Sequence, residues 1–429
     1  MLIVSSPGRL PECEMILTNC AFCAAPLPTH AYLHCGRCYT RYCGSDCLEK
    51  DYFGTHLDQC EQIERAGGAE QYHADKKCAE AVAVAIEACA EDTQGQTCYI
   101  CMGPGDDEES LVRGCACRGT AGFAHISCLA EQAKIMVSRA EENNLGNKAL
   151  NARWNRWHTC SLCEQQYHGV VFCALGWACW KTYLARPEAN WARSNAMNVL
   201  GTCLHDAGHL EDALSVKEVE LSTLRRIGAS EQSMLTIKAN LAITYSRLGR
   251  LEAALQMKRE VYSGRLKLHG EECAQTLHAV NNYSSSLILL KRFEEAKSLL
   301  RKKVPVARRV LGEGRDITLR MRLGYAWALY GDPRASLNEL REAVSTLEDV
   351  SPTAWRVFGA THPITLGIER ALRDSRAKLS AREANMSSVS EAVEAMIARA
   401  RDLARARARA KHATRKTMQQ WENLEQQLN

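Results

Sequence analysis

At 429 residues the chain is too long for one hydrophobic core, and length alone suggests roughly two to four domains. With 54 Lys and Arg against 50 Asp and Glu, the formal charge is only +4, so no global basic field draws it to nucleic acid or membrane and any such attraction must be local. Hydrophobic residues make up 46%, yet the longest uncharged apolar run, GVVFCALGWACW from Gly169 to Trp180, stops at Lys181, which suits a buried helix and not a membrane span.

The N-terminal extension, residues 1–19, opens as MLIVSSPGRLPEC and has neither a basic leader nor a long apolar stretch. A cytoplasmic or nuclear protein is therefore expected, with Cys13 free. In those compartments thiols stay reduced, so 21 cysteines argue for metal and not for a disulfide framework. The first dense block, CAFCAAPLPTHAYLHCGRCYTRYCGSDCLEKDYFGTHLDQC at residues 20–60, carries its candidate ligands in pairs: Cys20/Cys23, Cys35/Cys38, Cys43/Cys47 and His56/Cys60. A gap of two lets both thiolates of one tight turn face one ion, and a gap of three puts ligands one helical turn apart. Eight ligands fill two tetrahedral sites.

The block resembles the MYND zinc finger along its whole length, down to Tyr42-Cys43 and the Lys50-Asp51-Tyr52 run. The resemblance implies an interleaved assignment, with Cys20, Cys23, Cys43 and Cys47 on one zinc and Cys35, Cys38, His56 and Cys60 on the other. It also implies binding of short proline-containing peptides, although Tyr52 stands where the family has Trp.

Residues 61–97 read as a helical linker, whose Ala-rich segment AEAVAVAIEACAE makes Cys78 and Cys89 small core residues. A second block follows, with Cys98/Cys101, Cys115/Cys117, His125/Cys128 and Cys160/Cys163 as pairs. The order of four cysteines, one histidine and three cysteines is common to PHD fingers and RING-CH (RINGv) domains. One residue between Cys115 and Cys117 and seven between Cys117 and His125 are similar to RING-CH, expected here over 98–168. That resemblance implies cross-bracing, with Cys98, Cys101, His125 and Cys128 on one zinc and Cys115, Cys117, Cys160 and Cys163 on the other, four zinc ions per chain in all. Each ion then ties distant segments together in a region too small to fold by burial alone.

Closed sets of four protein ligands leave no open position for a catalytic water. No HExxH, glycine-rich phosphate loop or GxSxG elbow is present either, so no catalytic residue and no small-molecule substrate is expected. What RING-CH implies is ubiquitin ligation: docking of a charged ubiquitin-conjugating enzyme, whose own cysteine is the reactive one, so that the chain would be a ubiquitin-protein transferase without its own nucleophile. Ile100 and Leu162 occupy the family's hydrophobic contact positions, and Trp154 or Trp157 could supply an aromatic surface. Gln132 and Glu164 depart from the family, which commonly has Trp and a basic residue there. They leave open a non-catalytic scaffold as the alternative.

After residue 168 the cysteine density collapses and repeats begin: LGTCLHDAGHLEDAL at 200–214, LAITYSRLGRLEAAL at 241–255, YSSSLILLKRFEEAK at 283–297 and LGYAWALYGDPRASL at 323–337. Each reads as an apolar helix, a turn marked by Gly208, Gly249 or Lys291, and a second helix with a close-packing Ala213, Ala254 or Ala296. One such pair cannot bury its apolar face alone, so the units must stack. With a period of about 41 residues, the region 169–379 is similar to tetratricopeptide repeats of the kinesin-light-chain type, including Asn240-Leu241-Ala242, NNY at 281–283 and HPITL at 362–366. The resemblance implies a groove for a protein client, which Asn240 and Asn282 could hydrogen-bond. GVVFCALGWACWKTY should form the helix that joins the second block to the repeats, with Cys173, Cys179, Cys203 and Cys273 as small core residues.

From residue 380 the composition turns to Ala and Arg, with eight basic residues and one acid between Arg399 and Lys416. Val389, Val393, Met396, Ala400 and Leu403 are spaced for a coiled-coil seam that fails at Arg407 and resumes near Trp421, Leu424 and Leu428. A solvated helix is expected for this tail; self-association, and nucleic-acid contact or nuclear import through the basic run, are the less expected alternatives. The fold expected is mainly α: two small cross-braced zinc modules, an α-helical repeat solenoid and a basic C-terminal helix.

Overall fold

The computed structural model describes residues 20–23, 25, 27, 33–105 and 109–428; the extension 1–19 and Cys13 lie outside the described residues. The chain forms two compact units, residues 1–268 and 269–429.

In the first unit, strands β1 (Leu33–His34) and β2 (Arg41–Tyr42) pair antiparallel with Leu33 opposite Tyr42. Helix α1 (Ser45–Asp51) runs through one wide π-helical turn, Tyr52–His56, into α2 (Leu57–Arg65). Two glycines of positive φ, Gly67 and Gly68, then reverse the chain into α3 (Ala69–Thr93). Beyond the second cysteine block come α4 (Ile126–Glu142), α5 (Asn147–Trp154) and α6 (Gly169–Tyr183). Two helical hairpins follow, α7 (Trp191–Asp206) with α8 (Leu210–Arg226), and α9 (Glu231–Arg247) with α10 (Leu251–His269).

Helix α6 is apolar all round because it is covered all round: every residue from Val171 to Trp180 is buried, and the helix packs on α3, α4 and α7. One continuous core joins Ala74 and Cys78 of α3, Val112 and Phe123 of the second block, Leu129 of α4, Leu175 of α6 and Leu200 of α7. The second block and the first repeat hairpin thus share a core through α6. Among the described residues the first block has two small clusters of its own, in which Cys20, Cys35, Cys38 and Cys60 stand with Tyr42, Leu48, Ile63 and Ala69.

The second unit stacks α11 (Ala274–Leu289), α12 (Phe293–Leu311), α13 (Asp316–Gly331) and α14 (Leu337–Phe358) in succession, and closes with α15 (Pro363–Leu428) against α13 and α14. The hairpin turns sit at the residues read from sequence: Gly208 (φ 89°), Gly249 (φ 74°) and Lys291 (φ 58°) are all left-handed. Ala213, Ala254 and Ala296 are fully buried where each second helix packs. The composition change at residue 380 marks no structural break, because neither Gly nor Pro occurs after Gly367 and α15 continues for 66 residues. Among the described residues all cysteines are free; Cys78, Cys173, Cys179 and Cys203 are buried, while Cys89 and Cys273 are half-buried. No helix among the described residues is long and apolar enough to cross a membrane.

Candidate metal centres

Three of the cysteine pairs are built on one turn, and a fourth shares its first bond, the Cys20 N–H donating to the Ala25 carbonyl at 2.8 Å. The N–H of the first cysteine donates to a carbonyl five residues on: Cys35 to Thr40 at 2.9 Å, Cys98 to Gly103 at 2.8 Å and Cys160 to Gln165 at 2.9 Å. Its own carbonyl accepts from the residue four on, Tyr39, Met102 or Glu164, at 3.0, 2.9 and 3.1 Å. Closing both bonds forces that fourth residue into the left-handed region, with φ of 62°, 63° and 56°. The turn also aims backbone donors at sulfur: Ile100 N–H to Cys98 Sγ, Gly103 N–H to Cys101 Sγ and Leu162 N–H to Cys160 Sγ, each at 3.4 Å. Such donors stabilise a thiolate.

Folding gathers the sixteen ligand side chains into four sets: Cys20, Cys23, Cys43 and Cys47; Cys35, Cys38, His56 and Cys60; Cys98, Cys101, His125 and Cys128; Cys115, Cys117, Cys160 and Cys163. Within each set the ligand atoms all lie within 4.8 Å of one another. A tetrahedral zinc with Zn–S near 2.3 Å and Zn–N near 2.05 Å requires separations of about 3.8 Å between sulfurs and about 3.6 Å between sulfur and nitrogen. The observed values are 3.6 Å for Cys23–Cys43 and Cys43–Cys47, 3.7 Å for Cys35–Cys60 and 3.8 Å for Cys117–Cys160. Sulfur to imidazole nitrogen is 3.4 Å for Cys38–His56, and 3.4 and 3.6 Å from His125 to Cys101 and Cys128. A disulfide would demand about 2.05 Å. The donor sets fit zinc, and they are closed.

The surroundings orient the ligands. His125 turns Nδ1 to its sulfurs while Nε2 lies 3.1 Å from the Pro104 carbonyl, an N–H donation that fixes the metal-binding tautomer. Asp51 accepts from Tyr42 at 2.7 Å and Thr55 at 3.0 Å, pinning the helix around the π-helical turn that carries His56. At the fourth set Gly122 has φ 86°, and a Cβ there would come 2.5 Å from Cys117 Cβ and 3.2 Å from Cys115 Sγ. Only glycine lets the chain cross this close to the sulfurs.

In each set one thiol is poised to ionise. Burial raises Cys98, but backbone N–H groups of Cys101, His125 and Ile100 outweigh it and bring the thiol down to about 7. Burial is likewise outweighed by neighbouring donors at Cys20 and Cys163, which fall to about 7, and at Cys35, which falls to about 6. Burial and the neighbouring sulfurs push Cys60 and Cys128 up to about 12. A divalent cation at the centre of a set would remove that mutual repulsion.

Tyr99 and Ser161, the residues after Cys98 and Cys160, hydrogen-bond through their hydroxyls at 3.0 Å and hold two of the turns side by side. Leu162 is 51% exposed on one turn, Ile100 is half-buried on the other, and Met102 beside it is 73% exposed. Trp157, expected to offer an aromatic contact surface, instead is fully buried, as Trp154 nearly is. The two indoles pack on Tyr183 of α6, 5.8 Å and 5.2 Å between ring centres, and so belong to the core. Gln132 is half-buried on α4, and Glu164 is exposed at the left-handed position of its turn. Asn240 on α9 and Asn282 on α11 are half-buried on the first helices of their hairpins. Sequence reasoning missed Gly122, the Pro104 carbonyl and the exposed Met102. Only the repeated spacing of Met102 and Glu164 after their cysteine pairs carried a signal.

The RING-variant domain family model matches residues 98–163. A tetratricopeptide repeat model matches residues 234–272, which is the α9–α10 hairpin. The chain therefore combines a RING-variant zinc domain with tetratricopeptide-type helical repeats. No curated protein matches. Among solved structures, a Podosopora anserina putative kinesin light chain with nearly identical TPR-like repeats is 17% identical, covering 55% of this chain and 98% of that chain at a TM-score of 0.37. BtubC (BKLC) from P. vanneervenii is 14% identical over 60% of this chain and 92% of that chain, with a TM-score of 0.34.

Proposed function

We propose that this protein is a zinc-stabilised, ubiquitin-ligase-like adaptor. In this reading the RING-variant module docks a charged ubiquitin-conjugating enzyme, while the helical repeats and the first zinc block, taken as a MYND-type finger, hold a protein client. All four closed sets would hold zinc as a structural cross-link, and the reactive cysteine would belong to the partner enzyme. The observation that carries the reading is the Tyr99–Ser161 clamp. It sets the Ile100 and Leu162 turns beside one another, with Leu162 and Met102 exposed as an apolar platform at the edge of a rigid zinc module. Cytosol or nucleus would keep the thiols reduced as zinc binding requires.

Glu164 supports a second reading, a scaffold without ligation, because it puts a carboxylate next to Cys163 at the exposed edge of the same platform. An autoubiquitination assay with a panel of conjugating enzymes separates the two. Under the adaptor reading, wild type forms conjugates, Ile100→Ala and Leu162→Ala lose most of them with zinc content unchanged, and Cys98→Ser loses both activity and metal. Fully zinc-loaded wild type that forms no conjugate with any enzyme would overturn the adaptor reading and leave the scaffold.

A further inference from the structure

Helix α15 changes surroundings without changing phase. Its first turns pack on α13 and α14 through Thr365, Ile368, Leu372 and Ser375, all buried and spaced alternately by three and four residues. The same rhythm passes through Leu379 to Met386, Val389, Val393, Met396, Ala400 and Leu403. Among the described residues these distal positions have nothing to pack on: Met386, Val389, Val393, Met396 and Leu403 are between 42% and 64% exposed. Alanine-rich composition explains why the segment is helical. It does not explain an apolar stripe in water on the very phase that the fold buries upstream.

We propose that the distal part of α15 pairs with the same segment of a second copy of this chain, as an antiparallel coiled coil centred near Ala398. In that register Met386 lies level with Ala410 of the other copy, Val393 with Leu403 and Met396 with Ala400, each layer joining an a to a d position, while Arg407, where the apolar seam fails, lies level with Val389. Ala392, Ala404 and Ala406 flank the seam and let the two backbones approach. Charge chooses the direction. Residues 399–416 carry eight basic side chains and one acid, whereas 384–398 carry only Glu391 and Glu394. A parallel pair would set the two cationic halves side by side, while the antiparallel pair lays each over the other's acidic half.

The test uses the full zinc-loaded chain in sedimentation and light scattering at micromolar concentration. A dimer is expected, and Val393→Glu combined with Leu403→Glu should convert it to monomer without changing zinc content, since both positions lie far from the packed part of the helix. A spin label on a noncanonical residue at position 388 reads the direction. Twenty residues of offset at 1.5 Å each predict labels about 30 Å apart. A parallel pair would hold them within roughly 15 Å, given interaxial distances of 8–10 Å. A monomeric wild type, a dimer that survives both glutamates, or the short label distance would each overturn the proposal.

Discussion

Single residues decide how well these zinc sets close. The sixteen ligands are legible from spacing alone, because a gap of two or three residues is a geometric requirement written directly in the sequence. Gly122 is not legible, since its role depends on a crossing between segments distant in the chain. Gly122→Ala would strain φ 86° and drive a Cβ to 2.5 Å from Cys117 Cβ, so we expect loss of about one zinc per chain by metal analysis while the other three sets stay full. A second residue-scale prediction concerns the first repeat hairpin. Burial raises the fully buried Glu220 to about 8, and burial lowers Lys217, whose Nζ donates to Thr244 at 2.9 Å, to about 8. A raised folded pKa means that the contribution of Glu220 is full below its ordinary value and lost as pH rises from about 4.5 to about 8. Lys217 has the opposite sign: its cost persists below about 8 and is relieved as pH climbs toward its ordinary value. Together they make the neighbourhood of pH 8 the least favourable. Glu220→Gln should therefore melt several degrees above wild type at pH 8, with the gap shrinking toward pH 6. A gap independent of pH between 6 and 8 would show that Glu220 is as fully ionised in the folded state as in the unfolded one, and that burial does not raise its pKa.

At the scale of elements, the helical hairpins are readable because their turn residues and their buried alanines repeat together. The π-helical turn at Tyr52–His56 is not, since nothing in YFGTH distinguishes it from an ordinary helical turn; the pull of His56 toward Cys38 selects it. The composition change at residue 380 has no counterpart in the backbone for a related reason. Composition reports what a helix face meets, and α15 leaves its neighbours without any change in backbone. The contact between α6 and α7 shows the reverse situation, where a backbone requirement sits inside an apolar run. A Cβ on Gly176 would lie 2.1 Å from Cys203 Sγ and 3.0 Å from its Cβ, so the two helices touch at this glycine. Gly176→Ala should cost about 1–3 kcal/mol by overpacking. Cys203→Ala in the same chain should restore part of that loss, because it removes the sulfur that the new methyl meets. Thermal melts of the two single variants and the double variant give the coupling. Additive losses would mean that α6 and α7 do not meet at this point.

At the scale of the molecule, the two zinc blocks differ in what depends on them. A structural zinc can contribute on the order of 10–16 kcal/mol of apparent folding free energy, more than a small module recovers from burial. In the first block half of the buried cluster residues are the ligand cysteines themselves, so without metal little remains to hold residues 33–65. The second block is continuous with α3, α4, α6 and α7, and Phe123, Trp157 and Leu175 belong to one core whose buried residues are mostly not metal ligands. A chelator should therefore act in two stages. Hydrogen exchange should show full loss of protection across 33–65 first. The knuckle turns around Cys98 and Cys160 should follow, with α6 loosened and not melted. Helices α11 to α14, whose packing involves no metal ligand, should keep their protection throughout. If α6 exchanged as fast as the first block, the shared core would not be what supports the RING-variant module, and zinc alone would have to carry it.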